Sequence, residues 1–403
     1  MTSGAPTEIV FILLVFGLFV VPKFLQRARV PSAVTSVLLG VIAGIFFPPF
    51  VDDATISQFA TLGIVALFLF AGLEVDLEEL RQQGAVIVQH LGIQVAVLLL
   101  VALALMPLLD STLRLAVLVS LALVTPSTGF ILDSLHSFGL SADERFWVKA
   151  KAISTELVAL TVLFVVLQSE TATRLSLSFL TLAGLVLVVP LAFRFFALAI
   201  RPYAPKSEFA FVVIVALVCA YVTRRLGVYY LVGAFLVGVA ARQFRRDLPS
   251  MASEKMLHAV ELFASFFVPF YFFRAGLHLS IDDLTAPALL AAGASIVIVA
   301  PLRTLVVAGH RKVALNEDWH GALRVSTPLL PTLVFTLVIA EIIRERFPAA
   351  PAWLFGALVL YTIGNTLIPG FVLHAPVAEP DLIVLSSAED EAPPTPARPD
   401  AAR

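Results

Sequence analysis

Long apolar runs, interrupted by short polar stretches, set the pattern of this chain. A membrane-crossing helix needs roughly 20 mostly apolar residues. On that measure about thirteen candidate spans can be marked, at roughly 8–24, 31–50, 58–73, 85–107, 112–136, 148–168, 176–200, 207–224, 228–243, 256–277, 286–308, 320–343 and 350–373. The pattern predicts an all-α polytopic membrane protein whose transmembrane domain fills residues 1–375. After it, residues 376–403 are acidic and rich in Pro and Ala, and are expected to form a disordered cytoplasmic tail.

Composition sharpens this picture. Of the 403 residues, 59% are hydrophobic and 14% charged, and the mean hydropathy is +0.96. A soluble domain carries about 25% charged residues, so the solvent for most of this chain is expected to be the lipid bilayer. The net charge of −2 gives no basic field for nucleic acid. One cysteine, Cys219, rules out an intramolecular disulfide framework.

The first apolar run has no basic residue before it and is followed by Lys23, Arg27 and Arg29. That order is the reverse of a cleavable leader, so the run reads as a first span with its N-terminus outside. Alternate loops then carry Arg81, Arg145, Lys149, Arg201, Lys206, Arg242, Arg245, Arg246, Lys255, Arg311 and Lys312 on the same side as those three. The other side has Arg114, Arg174, Arg224, Arg225, Arg344 and Arg346. Lys and Arg gather on the cytoplasmic face, which favours the N-terminus outside and the C-terminus in the cytoplasm.

The chain also contains a copy of itself. Ala71-Gly72-Leu73, ending the third span, aligns without a gap with Ala275-Gly276-Leu277, ending the tenth. Gly40 and Gly44 of the second span correspond to Gly233 and Gly238 of the ninth, with one residue inserted. The offset is seven spans, an odd number, so matched spans cross in opposite directions. Inverted repeats of this kind mark secondary transporters, with the site near the midplane at the repeat interface. The same offset pairs the fifth span with the twelfth. The fifth carries Thr125-Pro126-Ser127-Thr128-Gly129 and the twelfth Thr327-Pro328-Leu329-Leu330-Pro331-Thr332. Proline removes a backbone donor and clashes with the preceding turn. Discontinuous helices are therefore expected at Pro126 and at Pro328 and Pro331, whose freed backbone groups must be satisfied in lipid. Paired dry kinks are the plainer alternative.

Ionisable groups at bilayer depth are functional candidates. Glu156 lies near the middle of the sixth span and Arg303 toward the cytoplasmic end of the eleventh, each roughly 8–12 Å from that edge at about 1.5 Å per residue. An ion pair between them would avoid two lone buried charges, with Arg303 serving as partner or gate. A buried carboxylate can hold a proton or a metal cation but not both well, and that competition is exchange. Thr155, Ser154, Thr125 and Ser127 offer the oxygen ligands a small cation prefers. A permanent structural pair at Glu156 and a snorkelling Arg303 are the alternatives. Lys149 and Lys151 read as positive-inside anchors, while His90, Glu261 and Arg324 have no partner legible in the sequence.

These residues resemble the monovalent cation:proton antiporter-2 family, which holds bacterial sodium/proton and potassium-efflux antiporters. The resemblance rests on Pro31, Gly40 and Gly44, on Leu62-Gly63-Ile64 with Phe70 through Asp76, and on Phe267, Phe272-Phe273 and Ala275-Gly276-Leu277. It implies an inverted-repeat antiporter fold with two crossed discontinuous helices, interleaved dimerisation and core subdomains, elevator-like motion, a homodimer and a bacterial inner membrane. It implies monovalent cation and proton as substrates. The family's Asp-Asp, Asn-Asp or Gln-Asp pair aligns here with Thr155-Glu156, and its basic residue with Arg303. With one carboxylate, the expected exchange is electroneutral, one Na+ or K+ for one H+. The departure also leaves open a protein that has lost this exchange and acts as a sensor or carries another solute. No phosphate loop, His or Cys metal cluster or nucleophile motif is present, so neither a cofactor nor enzyme activity is expected.

Overall fold

The computed structural model describes residues 7–373, apart from 170, 228–229 and 245–252. The tail expected at 376–403 lies outside the described residues. All regular structure among the described residues is helical. The helices, in chain order, are α1 (Thr7–Gln26), α2 (Ser32–Phe46), α3 (Ala54–Leu73), the short α4 (Leu77–Gln82), α5 (Gly84–Leu109), α6 (Leu113–Val124), α7 (Thr128–Ser134), α8 (Ala142–Gln168), α9 (Ala172–Phe195), α10 (Glu208–Arg225), α11 (Tyr230–Gln243), α12 (Glu254–Leu277), α13 (Ala286–Ala314), α14 (Trp319–Ser326), α15 (Leu333–Arg346) and α16 (Trp353–Val372).

Every candidate span falls on one of these helices or on a broken pair. By length and composition eight are able to cross a membrane, or nine if the bent pair α14 and α15 counts as one span. The others are shorter, as at α2 and α11, or carry charged ends, as α10 does with Glu208, Arg224 and Arg225. Polar caps mark where helices begin: Asp53 accepts from two N–H groups of α3, and Ser141 and Glu144 form a reciprocal capping box on α8. Large apolar side chains such as Leu100, Leu187, Leu198 and Val297 stay exposed on α5, on α9 and the π-turn that continues it, and on α13, a surface suited to lipid and costly in water.

The helices fall into two groups. In the first, α3 lies against α11 and α12, and α2 against α12. The repeat glycines explain this packing. A Cβ at Gly40 would strike the carbonyl oxygen of Phe273, and one at Gly276 that of Val37. Equivalent collisions await Gly72 at Phe235 and Gly238 at Leu69. So α2 meets α12, and α3 meets α11, backbone to backbone at small residues, a mode that membrane helices favour because lipid offers little hydrophobic drive for association. The two contacts are images of each other under the repeat, which pairs Gly40 with Gly238, a correction to the expected pairing of Gly40 with Gly233, whose Cβ would instead meet Cys219 of α10. In the second group, α6 and α15 pack together and are surrounded by α5, α8, α13 and α16. Buried residues run unbroken from Leu115 to Val124 and from Leu333 to Ala340. This second group holds the candidate site.

Candidate functional site

Both expected interruptions are present, and they meet. The break at Pro126 and Ser127 separates α6 from α7. A 3-10 turn, Thr327–Leu329, with Pro328 inside it, and residues 330–332 separate α14 from α15, bending that span by 42°. The Ser127 N–H donates to the Pro331 carbonyl at 2.8 Å. The Ser127 hydroxyl accepts from the Val334 N–H, at 3.3 Å, in the first turn of α15. The Thr336 hydroxyl donates to the Ala122 carbonyl at 2.6 Å. Each broken span thus supplies partners for groups the other has freed, which is how irregular backbone survives at bilayer depth.

Arg303 completes this bookkeeping of the backbone. Its guanidinium, 6% exposed, donates to the carbonyls of Leu330 (2.8 Å), Leu329 (2.6 Å) and Leu123 (3.3 Å). The Tyr361 hydroxyl donates to the Leu123 carbonyl at 2.7 Å as well. The ion pair with Glu156 anticipated from the sequence is therefore corrected: among the described residues no Arg303–Glu156 bridge forms. The physical reason is that carbonyls ending a half-helix carry partial negative charge. A planar fork with five donors matches several of them at once.

Glu156 lies elsewhere on the same junction. It is 2% exposed, and its Oε2 has no hydrogen-bond partner among the described residues. Thr128, the first residue of α7, presents its backbone N–H and hydroxyl to the carboxyl group. Geometrically that hydroxyl closes no hydrogen bond either. A buried carboxylate oxygen and a buried hydroxyl at this junction are thus both left without a hydrogen bond, which is costly.

The remaining candidates divide. Thr125 closes α6 as its C-cap and is buried beside Pro126. The Ser127 hydroxyl is engaged by α15, and Ser154 donates back into its own helix, to Ala150 (2.6 Å) and Lys151 (3.2 Å). Thr155 faces α5, where its hydroxyl lies 3.1 Å from His90 Nε2. It shares a void of about 10 Å³ with His90, Gln94, Pro126, Arg303 and Ser326.

The sequence reading missed the neighbourhood of His90. Lys151, at a position where an interfacial anchor is expected, is fully buried, with Nζ 3.3 Å from His310 Nδ1. Arg311, also buried, pairs with Glu317 and lies over the Trp147 ring. One signal was available: Trp147, Lys151 and Thr155 recur every four residues and so share one face of α8. Arg324, without a partner in sequence, is bridged to Glu144 at 2.6 Å, and Arg274 to Glu341 at 3.1 Å.

A cavity of about 680 Å³ opens between the two helix groups, along the N-terminal half of α3 and the C-terminal end of α15. Arg224, Arg274, Glu341 and Glu345 line it. At the other end of α3, Glu74 is bridged to Lys149 of α8. Between the groups there is thus a void at one end, crossed by the Arg274–Glu341 bridge, and the Glu74–Lys149 bridge at the other.

Comparison with known proteins adds to this geometry. Probable Na(+)/H(+) antiporter 3 of Methanocaldococcus jannaschii is 25% identical over 299 residues, covering 68% of this chain and 71% of that protein. Na(+)/H(+) antiporter NhaS5 of Synechocystis is 24% identical over 371 residues, 88% of this chain and 51% of its own length. The putative cation/proton antiporter YbaL of Escherichia coli is 30% identical over 128 residues, 32% of this chain, and the match spans only 23% of its length. In fold, the chain is similar to the sodium proton antiporter MjNhaP1 of M. jannaschii, with a TM-score of 0.65 at 14% identity, over 90% of this chain and 95% of that one. Residues 10–379 match the transmembrane model of the sodium/hydrogen exchangers, and with the inverted repeat and the crossed helices in place the chain belongs to that family of membrane transporters.

Proposed function

We propose that this protein exchanges a monovalent cation, Na+ or K+, for H+ by alternating access, with Glu156 as the group for which cation and proton compete. The observation that carries the reading is the buried Glu156 carboxyl, with one oxygen unpartnered, against the unsatisfied Thr128 hydroxyl beside a helix break. A cation there would gain hard oxygen ligands from Glu156, Thr128 and Thr125. Ser154 and Ser127 hold the surrounding backbone, and Thr155 ties α8 to His90 of α5. Arg303 stabilises the crossing and does not itself titrate. One carboxyl that trades one proton for one cation gives an electroneutral 1:1 cycle. The cavity between the helix groups, facing the ionic tie at the far end of α3, supports a state open at one end only. By the loop charges that open end is extracytoplasmic, with the N-terminus outside, in a bacterial inner membrane. The family resemblance supports a homodimer.

The test is proton flux in proteoliposomes loaded with a pH dye. An imposed proton gradient should be dissipated on adding Na+ or K+ to wild type, and not to Glu156→Gln. If no monovalent cation moves protons in sealed, folded preparations, the reading fails. Cation-driven flux that follows an imposed membrane voltage would refute the 1:1 stoichiometry alone.

A further inference from the structure

A second cavity, of about 430 Å³, lies where α2 and α12 finish, at the same end of the molecule as the one between the helix groups. Ordinary ligand pockets measure about 300–1,000 Å³. Ile45, Val51 and Leu277 form an apolar wall, and His278, Ser280 and Arg344 a polar one.

The apolar wall continues toward the membrane interior. Leu38, Ile42, Ile45 and Phe46 of α2 are between 41% and 70% exposed. At spacings of three and four residues they form one stripe, on the side of α2 opposite Val37 and Gly40, which meet α12. Acyl chains are as apolar as such side chains and cover them in a bilayer. This stripe leads into the cavity at Ile45.

The polar wall suits a headgroup. Three contacts fix the Arg344 guanidinium: Nη1 donates to the His278 carbonyl at 2.8 Å, Nη2 lies 3.4 Å from Asp283 Oδ2, and the group stacks over the Phe355 ring. Arginine has five N–H donors, so donors remain on a side chain that is 46% exposed. His278 Nε2, on the same wall, has no partner among the described residues. A phosphate group, with several acceptor oxygens, matches such donors. The charge of Arg344 is already balanced by Asp283, and Asp52, exposed beside Val51, acts on the His278 ring by its charge. A headgroup of net negative charge would face these carboxylates unrelieved. One that carries its own ammonium answers the Arg344 donors and Asp52 together. The Arg344–His278 bond also joins α15 to the end of α12, so the cavity belongs to both helix groups.

We infer that this cavity holds the headgroup of an amine-bearing phospholipid, phosphatidylethanolamine, with its phosphate on Arg344, its ammonium toward Asp52 and one acyl chain along Leu38 and Ile42. The inference concerns binding and does not depend on exchange at Glu156. On the orientation proposed above, the lipid comes from the outer leaflet.

Binding is tested on the full chain, delipidated in detergent, by native mass spectrometry and by the unfolding midpoint. The probes are phosphatidylethanolamine, phosphatidylglycerol and inorganic phosphate. Wild type is expected to retain phosphatidylethanolamine in preference to phosphatidylglycerol, to melt higher with it, and to show no shift with inorganic phosphate. Arg344→Gln should weaken phosphatidylethanolamine binding by about tenfold or more, as expected for loss of a charged hydrogen bond. Asp52→Asn should abolish the preference between the two lipids. Ile45→Trp, which fills the apolar wall from an exposed position, should weaken both, and it decides the matter if Arg344→Gln does not fold. Equal retention of the two lipids by wild type overturns the inference, as does phosphatidylethanolamine binding undiminished in Ile45→Trp or in folded Arg344→Gln. A midpoint raised by inorganic phosphate as far as by lipid, and no longer raised in Arg344→Gln, makes free phosphate the occupant and overturns the lipid.

Discussion

The two helix groups solve the same problem, burial in lipid, in opposite ways. Where α2 meets α12 and α3 meets α11, side chains are removed: Gly40, Gly72, Gly238 and Gly276 let intact helices touch backbone to backbone. Where α6 crosses α15, the helices themselves are interrupted, and freed carbonyls are satisfied by Arg303, Tyr361, Thr336 and Ser127. The closest contacts of the first group are backbone packing, with Arg242 Nε and His278 Nε2 left unpaired at its helix ends. The second keeps a few polar atoms unpaired, at Glu156 and Thr128. Rigidity comes from making backbone contact exact in space, and on the proposed reading binding capacity comes from leaving hydrogen bonding incomplete.

The largest effect is expected in the glycine-packed group. Leucine at Gly276 must overlap the Val37 carbonyl, a collision with backbone that no rotamer relieves. Gly276→Leu should yield no monodisperse protein in size-exclusion chromatography. Gly17→Leu, where nothing lies within 4 Å, is the control and should purify like wild type. Comparable yields for the two would break the contrast between the helix groups.

Next comes Arg303. Methionine at this position leaves the carbonyls of Leu123, Leu329 and Leu330 buried without their charged donor. Hydrogen bonds to charged groups contribute about 1.5–3 kcal/mol each, so thermal unfolding of Arg303→Met in detergent should show a loss of about 3 kcal/mol or more. Lysine keeps the charge without the fork and should fall between. A Lys variant as stable as wild type would mean that charge alone secures the crossing. Thr336→Val removes a neutral hydroxyl shared between the Ala122 and Thr332 carbonyls, and should cost about 1–3 kcal/mol by the same measurement.

These residues also show where the sequence was legible. Proline and glycine act through the backbone, so Pro126, Pro328 and Pro331 announced the breaks, and the Ala-Gly-Leu repeat announced the inverted symmetry. Length and hydropathy located the helices for the same local reason. Side-chain partners are set by which helices become neighbours, and that is not local. Arg303 and Glu156 sit at similar depths, which suggested a pair, yet depth does not fix azimuth. The carbonyls that claim Arg303 exist as acceptors only once α6 and α15 have crossed. Lys151 lies near the start of its span, where lysines usually reach for the interface. Its burial follows from α5 and α13 closing over that face of α8.

The smallest change in stability, and the finest test of the comparison, concerns charge pairs at the helix ends. Glu74, at the C-cap of α3, bridges to Lys149 of α8 and so joins the two groups. Asp76, two residues on, bridges at 3.0 Å to Arg242 of α11, within the glycine-packed group. All four side chains are partly exposed, and such pairs contribute about 0–1 kcal/mol to folding. Unfolding should therefore barely distinguish Glu74→Gln from Asp76→Asn. On the proposed reading transport should distinguish them, because alternating access would move one helix group against the other, and of these two ties the one at Glu74 joins the groups. A bias of about 1 kcal/mol shifts a conformational equilibrium roughly fivefold, so Glu74→Gln is expected to change the flux rate or the half-saturating cation concentration by up to that factor, while Asp76→Asn leaves both within error. Glu341→Gln breaks the tie to Arg274 across the cavity at the opposite end. It should bias the equilibrium the other way, visible as an opposite change in half-saturation when cation is supplied from one side only. Equal effects of Glu74→Gln and Asp76→Asn would mean that the two groups do not move as bodies, and the contrast drawn between them would then describe packing alone.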